Sequence, residues 1–249
     1  MHIFEFCKQS VESTQSAIIE HFKIFNDDED ALIVMRAKEQ TKGRGRNDRE
    51  WISKGDCIAI SFAFVFRGER QAAPLLGQFL SIIATESLNE KTNANFGIKW
   101  PNDIILDTFK VGGVIAELIV YQGSQVAVLG LGLNIDVPQD MLPQRPLYPA
   151  SSINHLLPNI SLKSESFLKE TLIPSFSRAL PQLLAGGLKT IPEKLNKVLK
   201  GIGKPVRVIE SNEITFCGTN CGVSDKGGLL VLNEGKMREV FVGDILHLL

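Results

Sequence analysis

No stretch of the sequence approaches the roughly 20 consecutive apolar residues that a membrane-spanning helix needs, so a chain that crosses a membrane is not expected. The N-terminus, Met1-His2-Ile3-Phe4-Glu5-Phe6-Cys7, has too short an apolar run for a secretory signal and no basic leader. A cytoplasmic location is the simplest expectation. An excess of one charge is also missing. Lys and Arg number 27 against 28 Asp and Glu, for a net charge of −1. That balance argues against a protein whose whole surface binds nucleic acid. Cysteine is scarce, with four residues. Cys217 and Cys221 lie four apart in strand-like sequence, which at 3.3 Å per residue separates them by roughly 13 Å. A disulfide needs Cα atoms within about 7 Å, and the spacing is not that of a zinc knuckle. Reduced and mostly packed cysteines are expected. There is no repeat, no low-complexity segment and no dedicated metal motif.

What is present is a chain of 249 residues with 44% apolar residues, enough for one large domain or a large and a small one. Ile3 to Phe6 reads as a strand. A helix capped by Ser13 or Thr14 is expected through Phe22. Ala31 to Ala37 and Ile58 to Val65 read as strands on either side of an irregular cationic stretch. Pro74 suits the first turn of a helix, and Leu75, Leu76, Phe79, Leu80, Ile82, Ile83 and Leu88 follow at helical spacing. Gly97 to Trp100, Ile104 to Leu106, Val111 to Tyr121 and Gln125 to Ile135 are four strand-like runs. Helices are expected over Ser164 to Ala185, kinked or broken by Pro174 and Pro181, and over Ile191 to Lys200. From Gly203 onward short strands separated by Gly, Asn and Asp suggest a small barrel of about five strands. The fold class is thus α+β: a mixed, largely antiparallel sheet packed with helices over residues 1–200, then a small β domain over 203–249.

Four stretches carry polar chemistry. Thr41 to Trp51 places Lys42, Arg44, Arg46 and Arg49 around Gly43 and Gly45. Arginine donates bidentate hydrogen bonds to phosphate and carboxylate, and Trp51 offers a flat face to a ring. A solvated surface turn would account for the same residues. Lys99-Trp100-Pro101-Asn102-Asp103 gathers a charge, an aromatic ring, an amide and a carboxylate at a strand end, although a plain turn uses the same residues. Lys110 precedes Gly112-Gly113, and paired glycines in a strand mark a bulge or a close approach. Along Leu129 to Asn134 side chains alternate faces. Leu129, Leu131 and Leu133 fall on a core face, and Gly130, Gly132 and Asn134 on a nearly bare one. That bare face makes room for a flat ligand, another backbone or a close-packed helix. Ser13-Thr14-Gln15-Ser16 is fully explained as a helix cap, but its hydroxyls also suit a neutral polar ligand.

Taken together, Gly43-Arg44-Gly45-Arg46 with Trp51, then Lys99-Trp100-Pro101-Asn102-Asp103, Lys110-Val111-Gly112-Gly113 and Gly130-Leu131-Gly132-Leu133-Asn134 stand in the order and spacing of the biotin–protein ligases. Ser13-Thr14, Gln40 and Glu117 also fall in that family's order. The resemblance runs from about Ser13 to Asn134, and the terminal β region is similar to the family's SH3-like barrel. Two positions depart: many members have Gly where Asp48 stands and Asn where Gln15 stands.

The resemblance implies a two-step reaction. Biotin's carboxylate attacks the α-phosphate of ATP, and a lysine of a biotin carboxyl carrier protein then attacks the resulting biotinyl-5'-AMP. It implies that Ser13, Thr14, Gln15, Gln40, Gly43, Arg44, Gly45, Arg46, Lys110, Gly113 and Gly130 meet biotin. Arg46, Arg49, Trp51, Asn102, Lys110 and Asn134 would meet ATP or the adenylate. Lys110, Arg46 and Asp103 would be catalytic, Asp103 by orienting the incoming lysine or taking its proton. Mg2+ would accompany ATP, held by phosphate oxygens and water. DNA is not an expected partner, because the pattern begins at Ser13 and leaves no room for a preceding winged helix. A monomer or a homodimer is expected. A lipoate ligase would carry an Arg-Arg-x-Ser-Gly-Gly loop, which is absent. A catalytically silent biotin-binding module is the alternative, favoured by Asp48.

Overall fold

A computed structural model describes residues 1–46, 49–143, 149–210 and 213–247. Asp48 lies outside the described residues.

The first sheet has seven strands: β1 (Ile3–Val11), β2 (Leu32–Gln40), β3 (Asp56–Val65), β4 (Gly97–Lys99), β5 (Asp103–Leu106), β6 (Phe109–Tyr121) and β7 (Ser124–Asp136). Their order is β1-β2-β3-β7-β6-β5-β4. Only β1 and β2 run parallel, so the sheet is mixed and largely antiparallel. The alternation read from the sequence decides its two faces. Leu129, Leu131 and Leu133 point to the side covered by α2 (Ala73–Thr92) and α5 (Ile173–Leu184). There Phe62 stacks on Phe176 with ring centroids 4.1 Å apart. Each fully buried Leu or Phe of this layer contributes about 1.5–3 kcal/mol relative to leaving it in water.

The other face divides in two. α1 (Thr14–Ala17), capped by the Ser13 hydroxyl, continues as 3₁₀ turns over Ile18–Asn26. These turns lay Ile18, Phe22 and Phe25 on Ile33, Met35, Ala63, Val65, Val126 and Val128. The segment was expected as one α-helix ending at Phe22. Further along β7 the same face becomes Gly130, Gly132 and Asn134, and α1 reaches only as far as Gly130, through the Gln15 side chain.

Residues 164–184 form one helical run, α4 (Ser164–Phe167), a π segment over Leu168–Leu172, and α5. The wide turn falls just before Pro174, whose ring and missing N–H do not fit a regular turn against the carbonyl four residues back. The expected disturbance is therefore a widened turn; Pro181 sits within α5 without ending it. Two short helices complete this part, α3 (Ile153–Leu156), which was not foreseen, and α6 (Ile191–Val198), which was.

The C-terminal strands are β8 (Pro205–Glu210), β9 (Glu213–Val223), β10 (Leu229–Asn233), β11 (Lys236–Val240) and β12 (Asp244–His247), ordered β11-β10-β9-β8-β12 and antiparallel throughout. A barrel was expected; among the described residues the sheet is open. β11 and β12 each pair on one side, and β11 presents Lys236, Arg238 and Glu239 to solvent, charges that discourage further pairing at an edge. Val206, Val208, Leu229, Val231 and Ile245 join the same apolar cluster as α2.

The cysteines are all free, as expected, but Cys7, Cys217 and Cys221 are exposed and only Cys57 is packed. Cys7 sits on the edge strand β1, and Cys217 and Cys221 on the solvent side of β9, the middle strand of its sheet. Burial pushes the Cys57 thiol up to about 11, so it stays neutral.

Candidate active site

The bare end of the sheet forms the floor of a cavity of about 380 Å³, walled by the N-terminus of α1, the Arg loop, the turn before β5, and β12. Its floor is less empty than the glycines imply. A Cβ on Gly130 would lie 2.6 Å from the Gln15 Oε1, and one on Gly132 would overlap the Trp51 indole. The two glycines thus admit the protein's own amide and indole as cavity lining.

One end of the cavity is uncharged and polar. Gln15 donates from Nε2 to the Val128 carbonyl at 3.0 Å, which fixes its Oε1 as an acceptor. The Ser61 Oγ lies 2.9 Å from both that oxygen and the Thr14 Oγ1. The Gln40 Oε1 accepts from the Thr14 backbone N–H at 2.8 Å, and its Nε2 is 3.2 Å from the Ser53 Oγ. These groups suit a neutral ligand that both donates and accepts.

The other end is ionic. Asp103 lies between Lys110, whose Nζ is 2.6 Å from Oδ1, and Lys99, whose Nζ is 3.8 Å from Oδ2. Burial acts to raise the Asp103 carboxyl, but Lys110, Lys99 and Arg46 outweigh it and hold the group below the usual carboxylate range. Burial pulls Lys99 down, with Asp103 opposing. Arg46 is also pulled down by burial, against Asp244 and Asp103. It donates to the Asn102 Oδ1 at 3.3 Å and to the Gly243 carbonyl at 3.4 Å. Arg49 forms an ion pair with Asp244 at the start of β12. The cations Lys99, Lys110, Arg46 and Arg49 outnumber the carboxylates Asp103 and Asp244, so the pocket favours an anion.

Trp51 and Asn134 lie between the two ends. The Trp51 Nε1 and Asn134 Oδ1 are buried without a hydrogen-bond partner, while the Asn134 Nδ2 donates to the Ser151 carbonyl at 3.2 Å. Buried polar atoms are normally paired, so both have capacity left for a ligand.

Ser13, Thr14, Gln15, Gln40, Arg44, Gly45, Arg46, Arg49, Trp51, Asn102, Asp103, Lys110, Gly113, Gly130 and Asn134 all line this one cavity. Gly43 does not. It borders an adjoining cavity of about 800 Å³ on the far side of the Arg loop, because the loop is a pinned hairpin there. The Trp51 N–H bonds the Gly43 carbonyl at 2.9 Å, and the Gly45 N–H the Arg49 carbonyl at 2.7 Å. The Arg44 guanidinium turns outward to Glu117 at 2.7 Å, which leaves only its backbone near the ligand space. Trp100 is buried with its Nε1 donating to the Gly227 carbonyl at 3.1 Å, so it anchors the turn instead of meeting a ligand. Lys99 was marked only as the charge of its motif, with no role assigned, and Ser53, Ser61 and Asp244 were not anticipated. A lone hydroxyl among the apolar residues of β3 was the available signal for Ser61. Nothing local marked Asp244, which lies 195 residues from Arg49.

The model of the biotin/lipoate A/B protein ligase family matches residues 7–134, just over half of the chain. The chain belongs to this family. A solved biotin protein ligase of Aquifex aeolicus, in complex with biotin and ATP, shares the fold with a TM-score of 0.72 and 26% identity, covering 97% of each chain. The biotin–[acetyl-CoA-carboxylase] ligase of Paracoccus denitrificans is 29% identical over 216 residues, 83% of this chain and 89% of that protein. Biotin–protein ligase 2 of Arabidopsis thaliana is 26% identical over 80% of this chain, which spans 61% of that relative's length. The matched segment carries the whole floor of the cavity and both its polar and ionic ends, whereas Asp244 lies beyond it.

Proposed function

We propose that this protein is an ATP-dependent, AMP-forming biotin–protein ligase that makes biotinyl-5'-AMP and transfers biotin to a lysine of a biotin carboxyl carrier protein. The observation that carries the reading is a single cavity with a neutral polar end and a cationic end, joined by a floor of glycines. A ureido ring both donates and accepts hydrogen bonds and carries no charge, which suits Ser13, Thr14, Gln15, Gln40 and backbone at Arg44. A carboxylate and an α-phosphate repel each other. Arg46 and Lys110 at the cationic end reduce that repulsion and stabilise the charge that builds as the anhydride forms. Arg49 meets the phosphates, and Trp51, Asn102 and Asn134 frame the adenine. Asp103 then orients the acceptor lysine.

ATP enters as its Mg2+ complex, with the ion on phosphate oxygens and water. Asp103 and Asp244, the carboxylates nearest that end, are engaged by Lys110 and Arg49. Among the described residues no group of three or more His, Cys, Asp or Glu could hold a metal ion. We take residues 1–200 as the catalytic domain and 203–249 as an SH3-like domain, in a cytoplasmic monomer or homodimer. No helix is long and apolar enough to cross a membrane among the described residues.

Incubation with MgATP, labelled biotin and a carrier domain tests the reading. Label on the carrier lysine is expected. Tight biotin binding with no adenylate and no transfer would replace the enzyme with a binding module.

A further inference from the structure

We propose that Gln139, which does not line the cavity, is a positioning residue for Lys110 and Asn134. Its amide clamps the chain segment that holds the Lys110 backbone and orients the Asn134 side chain. The effect on adenylation rests on the ligase reading above; the clamp itself does not.

Lys110 stands where the sheet runs out of partners. The β6–β7 ladder ends at the Gly112–Leu133 pair, two residues short of Lys110. On the other side the β5–β6 register shifts between Ile104 and Ile105, which puts a bulge beside Lys110, and bulges re-aim side chains. The place that β7 leaves is taken by residues 149–151, running parallel to β6 with Ala150 opposite Lys110. The Lys110 N–H donates to the Pro149 carbonyl at 3.0 Å, and its carbonyl accepts from the Ser151 N–H at 3.0 Å. The Ser151 carbonyl accepts from the Asn134 Nδ2 at 3.2 Å. A carbonyl only accepts, so this contact turns the unpaired Asn134 Oδ1 away from Ser151. One short segment thus sets the root of the Lys110 arm and the polarity of Asn134.

This segment belongs to none of the named strands or helices. It is tied instead to the chain leaving β7. The Gln139 Nε2 donates to the Ala150 carbonyl at 2.7 Å, and its Oε1 accepts from the Ser151 Oγ at 3.2 Å. The nitrogen must face the carbonyl, which gives the amide one orientation. The Ser152 Oγ donates to the Val137 carbonyl, and the Ala150 N–H to the Pro143 carbonyl, each at the longer distance of 3.2 Å. Gln139 therefore grips two successive residues, Ala150 and Ser151, that lie against Lys110. Gln139 is absent from the cavity wall, so it acts on a ligand through Lys110 and Asn134.

Gln139→Met keeps the length of the side chain and removes both hydrogen bonds. A small misplacement of a group aimed at reacting atoms is costly, and kcat for adenylation, read as pyrophosphate release, is expected to fall about 10-fold. KM for ATP is expected to rise about threefold, the weakening of one hydrogen bond at Asn134. Biotin affinity is expected to stay unchanged, because Ser13, Thr14 and Gln40 lie at the other end of the cavity. In a Lys110→Ala background the same substitution is expected to cost less than about twofold in kcat, the non-additivity of residues that act as one unit. Ser151→Ala, which removes one of the two bonds, is expected to show the same pattern with a smaller loss. Equal kcat losses in both backgrounds, a matching loss of biotin affinity, or no loss overturn the proposal.

Amide hydrogen exchange reads the clamp without enzyme activity. In Gln139→Met the Lys110 and Ser151 N–H groups are expected to exchange at least about tenfold faster, while the β3–β7 ladder keeps its protection. Unchanged exchange at Lys110, or faster exchange throughout the sheet, overturns the clamp. This readout stands even if the unmodified protein forms no adenylate, an outcome that would defeat the ligase reading alone.

Discussion

Lys110 and Asp103 are seven positions apart in the chain but adjacent in space because β5 and β6 form a hairpin. The sequence marked both residues; it did not reveal that they neutralise each other before a ligand arrives. The glycines of β7 show the same limit. Their alternation with leucine was legible, since period two is a property of any strand. That Gln15 and Trp51 fill the space above them was not, because both come from other parts of the chain. At this scale the firmest prediction concerns Lys110→Ala. Removing a cation aimed at a developing phosphate charge is expected to slow adenylate formation about 10²–10³-fold, measured as biotin-dependent pyrophosphate release. Normal release would remove Lys110 from the mechanism.

Among the elements, the Arg loop stands apart from a simple flexible turn. Its two ends are joined by backbone bonds between Gly43 and Trp51 and between Gly45 and Arg49. Arg44 reaches outward to Glu117, while Arg46 and Arg49 reach Asn102 and Asp244 at the cavity. Lys42 and Arg44 remain exposed, and the Arg44–Glu117 and Lys42–Glu12 pairs lie at the surface, where such pairs add little stability. The loop is therefore expected to open without ligand and to order when biotin or the adenylate gives its backbone and Arg46 new partners. Limited trypsin digestion reports this directly, with slower cleavage between Lys42 and Arg49 in the presence of biotin. Identical cleavage with and without ligand would end the idea of a closing lid. Helix and strand positions elsewhere were largely legible because apolar spacing encodes them. That the C-terminal strands form an open sheet among the described residues, where a barrel was expected, was not legible, because closure depends on which edges meet.

Across the whole molecule the two sheets are tied together at the site. The Gly227 carbonyl accepts from both the Trp100 Nε1 and the Gln78 Nε2, the latter at 2.7 Å. Asp244 and the Gly243 carbonyl hold Arg49 and Arg46. The C-terminal sheet thus sets the posture of the two cavity arginines proposed to meet phosphate. Asp244→Asn is expected to raise the KM for ATP about tenfold, the loss of one charge-assisted contact, and to leave biotin affinity unchanged; calorimetric titration and initial rates check it. Burial acts to raise the Asp244 carboxyl, but Arg49, Lys99 and Arg46 hold it below the usual range. Its contribution to stability is therefore present above the unfolded carboxylate value, about 3.9, and fades as pH falls through the lower folded value.

The sequence by itself determined most strands, the longer helices, the family and the kinds of group that gather in the cavity, because periodicity and motif spacing are local properties of the chain. Only the tertiary structure decided that Asp103 is shared by two lysines, that Trp100 serves as an anchor, that Gly43 belongs to the neighbouring cavity, and that Asp244 pairs with Arg49, 195 residues before it. Each of those depends on which distant side chains are brought within hydrogen-bonding reach, and no local pattern records such a distance.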